Sequence, residues 1–154
     1  MSSGVEYSLN KSTFADVLDH LKHCDADFVP PLSGRVDIQG YAQKIVRLAV
    51  RFEAWSGDAL IGLVAAYCND QESRTTFVSS VSVSKAWVGQ RIATTLMGMC
   101  VTHAESLAMR QVVLEVASNN LPAVELYRGL GFVEQERRRP NTQMRLTLHG
   151  KEQQ

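Results

Sequence analysis

Residues 112–132 read VVLEVASNNLPAVELYRGLGF, and this stretch decides the fold. Its first six residues are β-branched or apolar apart from the carboxylate of Glu115, a composition typical of a strand buried on both faces. The polar run 118–120 ends that strand. Pro122, in a first helical turn and followed by apolar residues at helical spacing, predicts a short helix. A second strand begins at Phe132.

The break, the helix and the second strand together carry a family pattern. That pattern is an Asn, an Ala three residues later, then Leu-Tyr and Gly-Phe, which are here Asn120, Ala123, Leu126-Tyr127 and Gly131-Phe132. In this the chain resembles the C-terminal half of the GCN5-related N-acetyltransferases, the GNAT superfamily. Residues 114–116, LEV, are most similar to GNATs that acetylate protein N-termini, which place a Glu at this distance before the Tyr. The family follows from the pattern, and the acceptor stays open.

Length and composition favour one globular domain, residues 1–154. Hydrophobic residues make up 45% and charged residues 21%, which excludes disordered and fibrous classes. Sixteen basic residues balance sixteen acidic ones, so no overall field attracts nucleic acid or a membrane. Three widely spaced cysteines in apolar surroundings are typical of reduced core residues. With neither a signal-like N-terminus nor an apolar run of membrane-spanning length, we expect a cytoplasmic protein.

Working outward, hydrophobic periodicity predicts the other elements. The expected strands are 6–9, 51–55, 59–68, 75–83, 112–117, 132–136 and 144–148. Two helices are expected after the N-caps Ser12 and Asp37, and two more at 90–109 and 122–130. Residues 25–34 are a loop, because their two prolines lack amide donors. Residues 137–140 form a basic turn, and a polar tail ends the chain.

This order, β-α-α-β-β-β-α-β-α-β-β, predicts an α/β sheet with helices on its faces. It is also the element order of the GNAT fold. The resemblance therefore implies a mixed, mostly antiparallel central sheet of about seven strands. About four helices flank it, and the sheet is splayed between its fourth and fifth strands.

Residues 84–93, SKAWVGQRIA, connect a strand to the longest helix. Free backbone N–H groups and the helix dipole make such a helix start a site for a diphosphate. In GNATs this is the pyrophosphate site of coenzyme A, with the signature Arg or Gln, two residues, Gly, one residue, Gly or Ala. The aligned positions are Val88, Arg91 and Ala93, of which only Ala93 conforms. Arg91 either crowds the diphosphate or turns its guanidinium onto it, and the alternative is a plain turn with an exposed Arg.

The resemblance implies acetyl-CoA as the acyl donor. Its pantetheine arm would pair with the backbone of Val81 and Val83, whose side chains can serve the core at the same time. Asn120 would hydrogen-bond that arm or cap the following helix. The full set of expected cofactor-binding residues is Val81, Val83, Val88, Gly89, Gln90, Arg91, Ile92, Ala93, Thr94, Asn120, Ala123 and Tyr127.

An amine acceptor arrives mostly as an ammonium and must lose a proton before it attacks the thioester. Transfer then needs a base, an N–H donor for the oxyanion and an acid for the departing thiolate. Glu115 is the candidate base, since burial would make its carboxylate more basic, and a structural carboxylate on an open face is the alternative. Tyr127 is the candidate acid, as the resemblance implies, or else an anchor of the last helical turn. The backbone N–H of Val83 would face the thioester oxygen, and no Cys in this stretch offers a covalent intermediate.

The acceptor wall is expected in residues 25–32 and in the helix of Tyr41 and Lys44, the part of the chain that walls the acceptor pocket in GNATs. Asp27 or Asp37 would receive the amine, while Phe28 and Tyr41 would pack on a sugar or peptide. Solvated caps and core aromatics are the alternative for each. We therefore expect Asp27, Phe28 and Tyr41 to bind the substrate.

The leading function is acetyl transfer to a primary amine of a small molecule, such as an amino sugar. One alternative is a peptide or protein N-terminal acetyltransferase, and another is a non-catalytic acyl-CoA-binding or interaction module with the GNAT fold, motivated by Val88 and Arg91. No metal is expected, because His20, His23 and Cys24 at helical spacing offer only three ligands. No nucleic acid or membrane partner is expected, and a homodimer through the C-terminal strands is compatible with the family.

Overall fold

The computed structural model describes residues 4–138 and 140–149. The strands are β1 Glu6–Leu9, β2 Val50–Ser56, β3 Ala59–Asp70, β4 Thr75–Val83, β5 Gln111–Ala117, β6 Val133–Arg138 and β7 Asn141–Thr147, and the helices are α1 Phe14–Cys24, α2 Ile38–Leu48, α3 Ile92–Ser106 and α4 Leu121–Gly129. The strands form one seven-stranded sheet in the order β1-β2-β3-β4-β5-β7-β6. All neighbours are antiparallel except the parallel pair β4 and β5. The predicted mixed, mostly antiparallel sheet is confirmed.

Strands β4 and β5 separate halfway along their length. Their register runs from Thr75 opposite Gln111 to Val78 opposite Leu114. Beyond that point, in the described chain, β4 pairs with β3 and β5 pairs with β7. A bulge in the pairing of β3 and β4 falls beside Ser79, where the separation begins. The predicted splay between the fourth and fifth strands is confirmed, and it opens a cleft in the sheet.

Helices cover both faces of this sheet. Leu96, Met97 and Cys100 of α3 are buried in a core that α4 also joins, and α1 and α2 bury a second core on the opposite face. Gly62 of β3 allows α3 to pack closely, because a Cβ there would lie 2.9 Å from a methyl carbon of Ile92. The start of α3 is thereby held beside the cleft.

Thr13 is the N-cap of α1, so the prediction of Ser12 is wrong. The hydroxyl of Thr13 accepts from the Asp16 amide at 3.2 Å, and the Asp16 carboxylate accepts from the Thr13 amide at 2.9 Å. This is a reciprocal capping box. Ser12 is buried instead and donates to Glu53. Asp37 caps α2 as predicted, accepting from the Gly40 amide at 3.2 Å.

We expect Thr13→Ala to lower the free energy of unfolding by about 1 kcal/mol, because the Asp16 amide in the first turn of α1 loses its acceptor. Chemical denaturation with urea measures this loss. Thr13→Ser keeps the hydroxyl and should stay close to the wild type. An equal loss in both variants would show that packing of the Thr13 methyl group, rather than the cap, carries the effect.

Several element bounds differ from the predictions. β3 continues through Asp70, two residues beyond the predicted end, and the Asp70 carboxylate accepts from the amide and hydroxyl of Ser73 in the turn that follows. α3 begins at Ile92, since Arg91 has a positive φ of 61°. The predicted basic turn is β6 as far as Arg138, while residue 139 and the predicted tail from residue 150 lie outside the described residues. No helix within the described ranges is long and apolar enough to cross a bilayer.

Candidate active site

The cleft between β4 and β5 opens into a cavity of about 700 Å³. Its walls are the separated ends of β4 and β5, residues 87–89 and 91–94 around the start of α3, the cleft side of α4, part of the loop 27–35, and residues 140–141 at the start of β7. The hydrogen bond from the Ser118 amide to the Pro140 carbonyl, at 2.7 Å, ties that last wall to the end of β5. Segments far apart in the sequence therefore meet around one space.

Most of the predicted cofactor residues line this cavity. Those that do are Val81, Val83, Val88, Gly89, Arg91, Ile92, Ala93, Thr94, Asn120, Ala123 and Tyr127. Gln90 is exposed and is not part of the lining. Their binding roles remain predictions, but their convergence follows from the splay and from the turn before α3.

Arg91 adopts a backbone conformation that favours glycine. Its φ is 61° and its ψ 24°, a left-handed geometry that costs a non-glycine residue about 1–2 kcal/mol. Arg91 is the N-cap of α3 but makes no side-chain capping hydrogen bond. The first amides of a helix have no partner within it, and Ile92, Ala93 and Thr94 all line the cavity. Positive dipole, free amides and an adjacent guanidinium make this helix start suited to an anion.

Asn120 and Tyr127 mark the two ends of α4. The side-chain oxygen of Asn120 accepts from the Ala123 amide at 3.4 Å, so the predicted cap is present. Tyr127 is 7% exposed, and its ring centroid lies 6.0 Å from that of Phe132. Burial raises the pKa of Tyr127 to about 12. The phenol is therefore protonated at neutral pH and able to donate a hydrogen bond or a proton.

Glu115 is exposed, so the expectation that it is buried is wrong. Its neighbours Leu114 and Val116 are buried. Successive side chains of a strand point to opposite faces of the sheet, so Glu115 lies on the face opposite to Leu114 and Val116. The pairing of β4 with β5 ends just before this position. Glu115 nevertheless lines the cavity, and its role as the base remains a prediction.

Asp27, Phe28 and Tyr41, the predicted acceptor residues, line the other part of the cavity. The hydroxyl of Tyr41 lies 3.0 Å from the Ser79 carbonyl and 2.9 Å from its hydroxyl, so α2 is tied to the bulge of β4. Asp37 and Lys44 are not in the lining. Asp37 caps α2, and the Lys44 ammonium lies 5.5 Å from the centre of the Tyr67 ring.

The loop between α1 and α2 is fastened to the protein. The Asp25 carboxylate accepts from the Ser33 amide at 2.7 Å. Leu32 is 1% exposed and packs in the core between α1, α2 and the sheet. These contacts hold the intervening residues against the cavity as a wall.

Several lining residues were not predicted. They include Cys24, Arg35, Ser79, Ser80, Ser82, Trp87 and Asn141. The sequence signal was the alternation of Ser and Val in residues 79–83, SSVSV, which gives a strand one polar and one apolar face. The contribution of residue 141 has no local signal, because it depends on pairing between β5 and β7.

Both ring nitrogens of His20 have hydrogen-bond partners within the protein. Its Nδ1 lies 3.1 Å from the Leu60 carbonyl and its Nε2 lies 2.8 Å from the Ser82 hydroxyl. Burial lowers the pKa of His20 to about 4, so the ring is neutral at physiological pH. Among the described residues, His, Cys, Asp and Glu form no group of three able to hold a metal ion.

The resemblance to GNAT acetyltransferases implied a mixed sheet that splays between its fourth and fifth strands, and the structure has this sheet, with the start of α3 beside the splay. Residues 16–132 match the family model described as the acetyltransferase (GNAT) family. The chain belongs to this family. No curated protein matches it significantly in sequence.

Solved structures share this fold along nearly the whole chain. The ribosomal-protein-S18-alanine N-acetyltransferase of Escherichia coli is 16% identical with a TM-score of 0.76, over 95% of this chain and 97% of that one. NAA60 of Arabidopsis thaliana, in complex with a bisubstrate analogue, is 18% identical with a TM-score of 0.75, over 94% and 99%. The PaiA N-acetyltransferase of Thermoplasma acidophilum, in complex with coenzyme A, is 12% identical with a TM-score of 0.71, over 93% and 99%.

Proposed function

We propose that the protein is an acetyl-CoA-dependent N-acetyltransferase that transfers an acetyl group directly to a primary amine. The observation that carries this proposal is the single cavity that runs from the start of α3, through the splay, to the loop between α1 and α2. Such a cavity can hold a diphosphate at one end and an amine at the other, with the thioester between them. Three free, buried cysteines support the expected cytoplasmic location.

The residues present suit acetyl-CoA. Ile92, Ala93 and Thr94 offer amides to the diphosphate, and Arg91 offers charge-assisted hydrogen bonds. Val88 is 66% exposed, so its departure from the family signature removes a contact without blocking the site. Beyond Val78, the edge of β4 that faces β5 has no strand partner in the described chain, and its backbone groups are available to the amides of pantetheine.

The proposed chemistry assigns one task to each group. Glu115 takes a proton from the acceptor ammonium through a water molecule. The free amine attacks the thioester carbonyl carbon, and the amide of Val83 donates to the carbonyl oxygen as negative charge develops on it. As the carbon–sulfur bond breaks, Tyr127 protonates the departing thiolate, and the phenolate recovers a proton from the nitrogen of the new amide. Cys24 also lines the cavity, but burial raises the pKa of its thiol to about 11, which leaves little thiolate for a covalent intermediate.

The leading acceptor is the amine of a small molecule, because the loop of Asp27 and Phe28 bounds the cavity on one side and Pro140 bounds it too. A peptide N-terminus is the second candidate. The similarity to the E. coli and Arabidopsis structures and the accessible position of Glu115 support it. The non-catalytic alternative is weakened by Arg91, whose backbone keeps the conformation that a glycine would adopt.

Arg91→Gly should separate the effect of the guanidinium on acetyl-CoA binding from the effect of the left-handed backbone on stability. Removing the guanidinium should raise the Kd for acetyl-CoA about tenfold, because a hydrogen bond to a charged group is lost. Glycine should also relieve the left-handed strain, so the free energy of unfolding should stay equal or rise by up to about 1 kcal/mol. Titration calorimetry and urea denaturation measure the two. Arg91→Lys keeps a positive charge and should lose less affinity. Tighter binding by Arg91→Gly would mean that Arg91 crowds the diphosphate.

Calorimetry of the wild-type protein with acetyl-CoA, and with ADP for comparison, tests the cofactor. We expect micromolar binding of acetyl-CoA and weaker binding of ADP. Thiol release in the presence of glucosamine, spermidine or the tripeptide Ala-Ala-Ala then tests transfer and divides the acceptor classes. No binding by folded protein would support a non-catalytic interaction module, and binding without thiol release above the rate in buffer would refute transfer to these amines.

A further inference from the structure

Strand β4 presents a row of serines to the cavity. Ser79, Ser80 and Ser82 all belong to its lining. Ser80 pairs with Ala65 of β3 and Ser82 pairs with Leu63, and both partners lie in the core that α1 and α2 cover. Directly opposed residues share a face of a sheet, so both hydroxyls lie on the α1 and α2 side of β4.

Two of these hydroxyls have partners within the protein. The Ser79 hydroxyl lies 2.9 Å from the Tyr41 hydroxyl, and the Ser82 hydroxyl lies 2.8 Å from His20 Nε2. The Leu60 carbonyl, 3.1 Å from His20 Nδ1, can only accept a hydrogen bond. Nδ1 of the neutral ring therefore carries the proton, and Nε2 accepts from Ser82.

Ser80 is different. The residue is 4% exposed, and the described chain offers its hydroxyl no hydrogen-bond partner. Of the buried side-chain atoms that lack a partner among the described residues, its Oγ is the one whose residue lines the cavity. A buried hydroxyl without a partner destabilises a protein by about 1–3 kcal/mol, so its position at the cavity wall calls for a partner that the described chain does not supply.

We propose that the hydroxyl of Ser80 binds the amine acceptor by a hydrogen bond. This inference rests on the proposed function. The pantetheine arm would occupy the exposed backbone edge of β4, within the plane of the sheet, whereas side chains project out of that plane. On this face of β4 the cavity is bounded by Tyr41, Asp27 and Phe28, the predicted acceptor wall. Ser80 therefore contacts the acceptor rather than the donor.

Thermal unfolding gives the first test, and it does not depend on the identity of the acceptor. Ser80→Ala removes a hydroxyl that has no partner, so the Tm should be unchanged or higher. Ser82→Ala is the matched control on the same face, two residues away. It leaves His20 Nε2 buried and unpaired, and its Tm should fall by about 2–6 °C. A fall in Ser80→Ala as large as that in Ser82→Ala would overturn the inference. If Ser82→Ala does not fold, the comparison of Ser80→Ala with the wild type still decides.

Steady-state kinetics gives the second test, with glucosamine as the amino-sugar probe and Ala-Ala-Ala as the peptide probe. In Ser80→Ala the KM of the probe that the wild type acetylates should rise about 2–10-fold, while the KM and Kd for acetyl-CoA stay unchanged. An unchanged KM for the amine would overturn the inference and leave the proposed function standing. A raised Kd for acetyl-CoA instead would place Ser80 on the donor. Turnover of neither probe by the wild type would overturn the proposed function for both classes and this inference with it.

Discussion

Tyr127→Phe should lower kcat by about 10²–10⁴-fold while leaving the Kd for acetyl-CoA within about twofold of the wild type. The substitution removes one hydroxyl and keeps the ring, which is 7% exposed and packs beside Phe132. If Tyr127 protonates the departing thiolate, its loss affects a step in the transition state and not the binding of the donor. Thiol release under saturating acetyl-CoA and calorimetry measure the two quantities separately.

Tyr7→Phe is the matched control, because Tyr7 is 40% exposed on β1 and is not part of the cavity lining. It should leave both kcat and Kd unchanged. A pH profile adds a check, since burial raises the pKa of Tyr127 to about 12. An acid with that pKa keeps its proton through pH 10, so it should cause no alkaline fall in kcat below that pH. Wild-type turnover by Tyr127→Phe would exclude the tyrosine as the acid.

Glu53→Ala should have the largest effect on stability, a loss of about 3–5 kcal/mol in the free energy of unfolding. Glu53 is 0% exposed in β2 and binds the segment between β1 and α1. Its carboxylate accepts from the Ser8 hydroxyl at 2.7 Å, the Lys11 amide at 2.8 Å, and both the amide and the hydroxyl of Ser12. The Arg51 Nε lies 3.6 Å away. Alanine would leave these donors without their acceptor and the buried guanidinium of Arg51 without its counter-charge.

Denaturation with urea measures the loss, and Glu105→Ala on the exposed surface of α3 is the control, expected within about 0.5 kcal/mol of the wild type. A loss in Glu53→Ala no larger than that of the control would show that the network contributes nothing net to stability.

The same network predicts how stability depends on pH. Burial acts to raise the pKa of Glu53, but the hydrogen bonds from Ser12, Ser8 and Lys11 outweigh it and hold the pKa below its ordinary value of 4.5. Because the folded pKa lies below the unfolded one, the contribution of Glu53 is complete above about pH 4.5 and is lost as the pH falls through the folded pKa. Glu53→Gln should lack this component of the acid loss. Parallel pH profiles of wild type and variant would contradict the assignment.

The sequence predicts those features of this protein that depend on interactions between residues close together in the chain. Hydrophobic period and capping operate within a few residues, so the element order, the cap at Asp37 and the turn from Asn120 into α4 follow from the sequence. The pattern of residues 120–132 predicts the family, and with it the splay and the helix start beside it. Even Arg91 could be placed in the glycine position of the loop, although its left-handed backbone could not be anticipated.

By itself, then, the sequence determined the order of the elements, the family and most of the segments that surround the cavity. Only the tertiary structure decided which side-chain oxygen atoms of the cavity wall are exposed and which lack a hydrogen-bond partner in the described chain. Glu115 is exposed because β4 leaves β5 before reaching it. Ser82 is satisfied by His20, whereas Ser80 on the same strand is left without a partner in the described chain. The physical reason is that the splay, the bulge and these partners depend on contacts between residues distant in the chain, which a local pattern does not record.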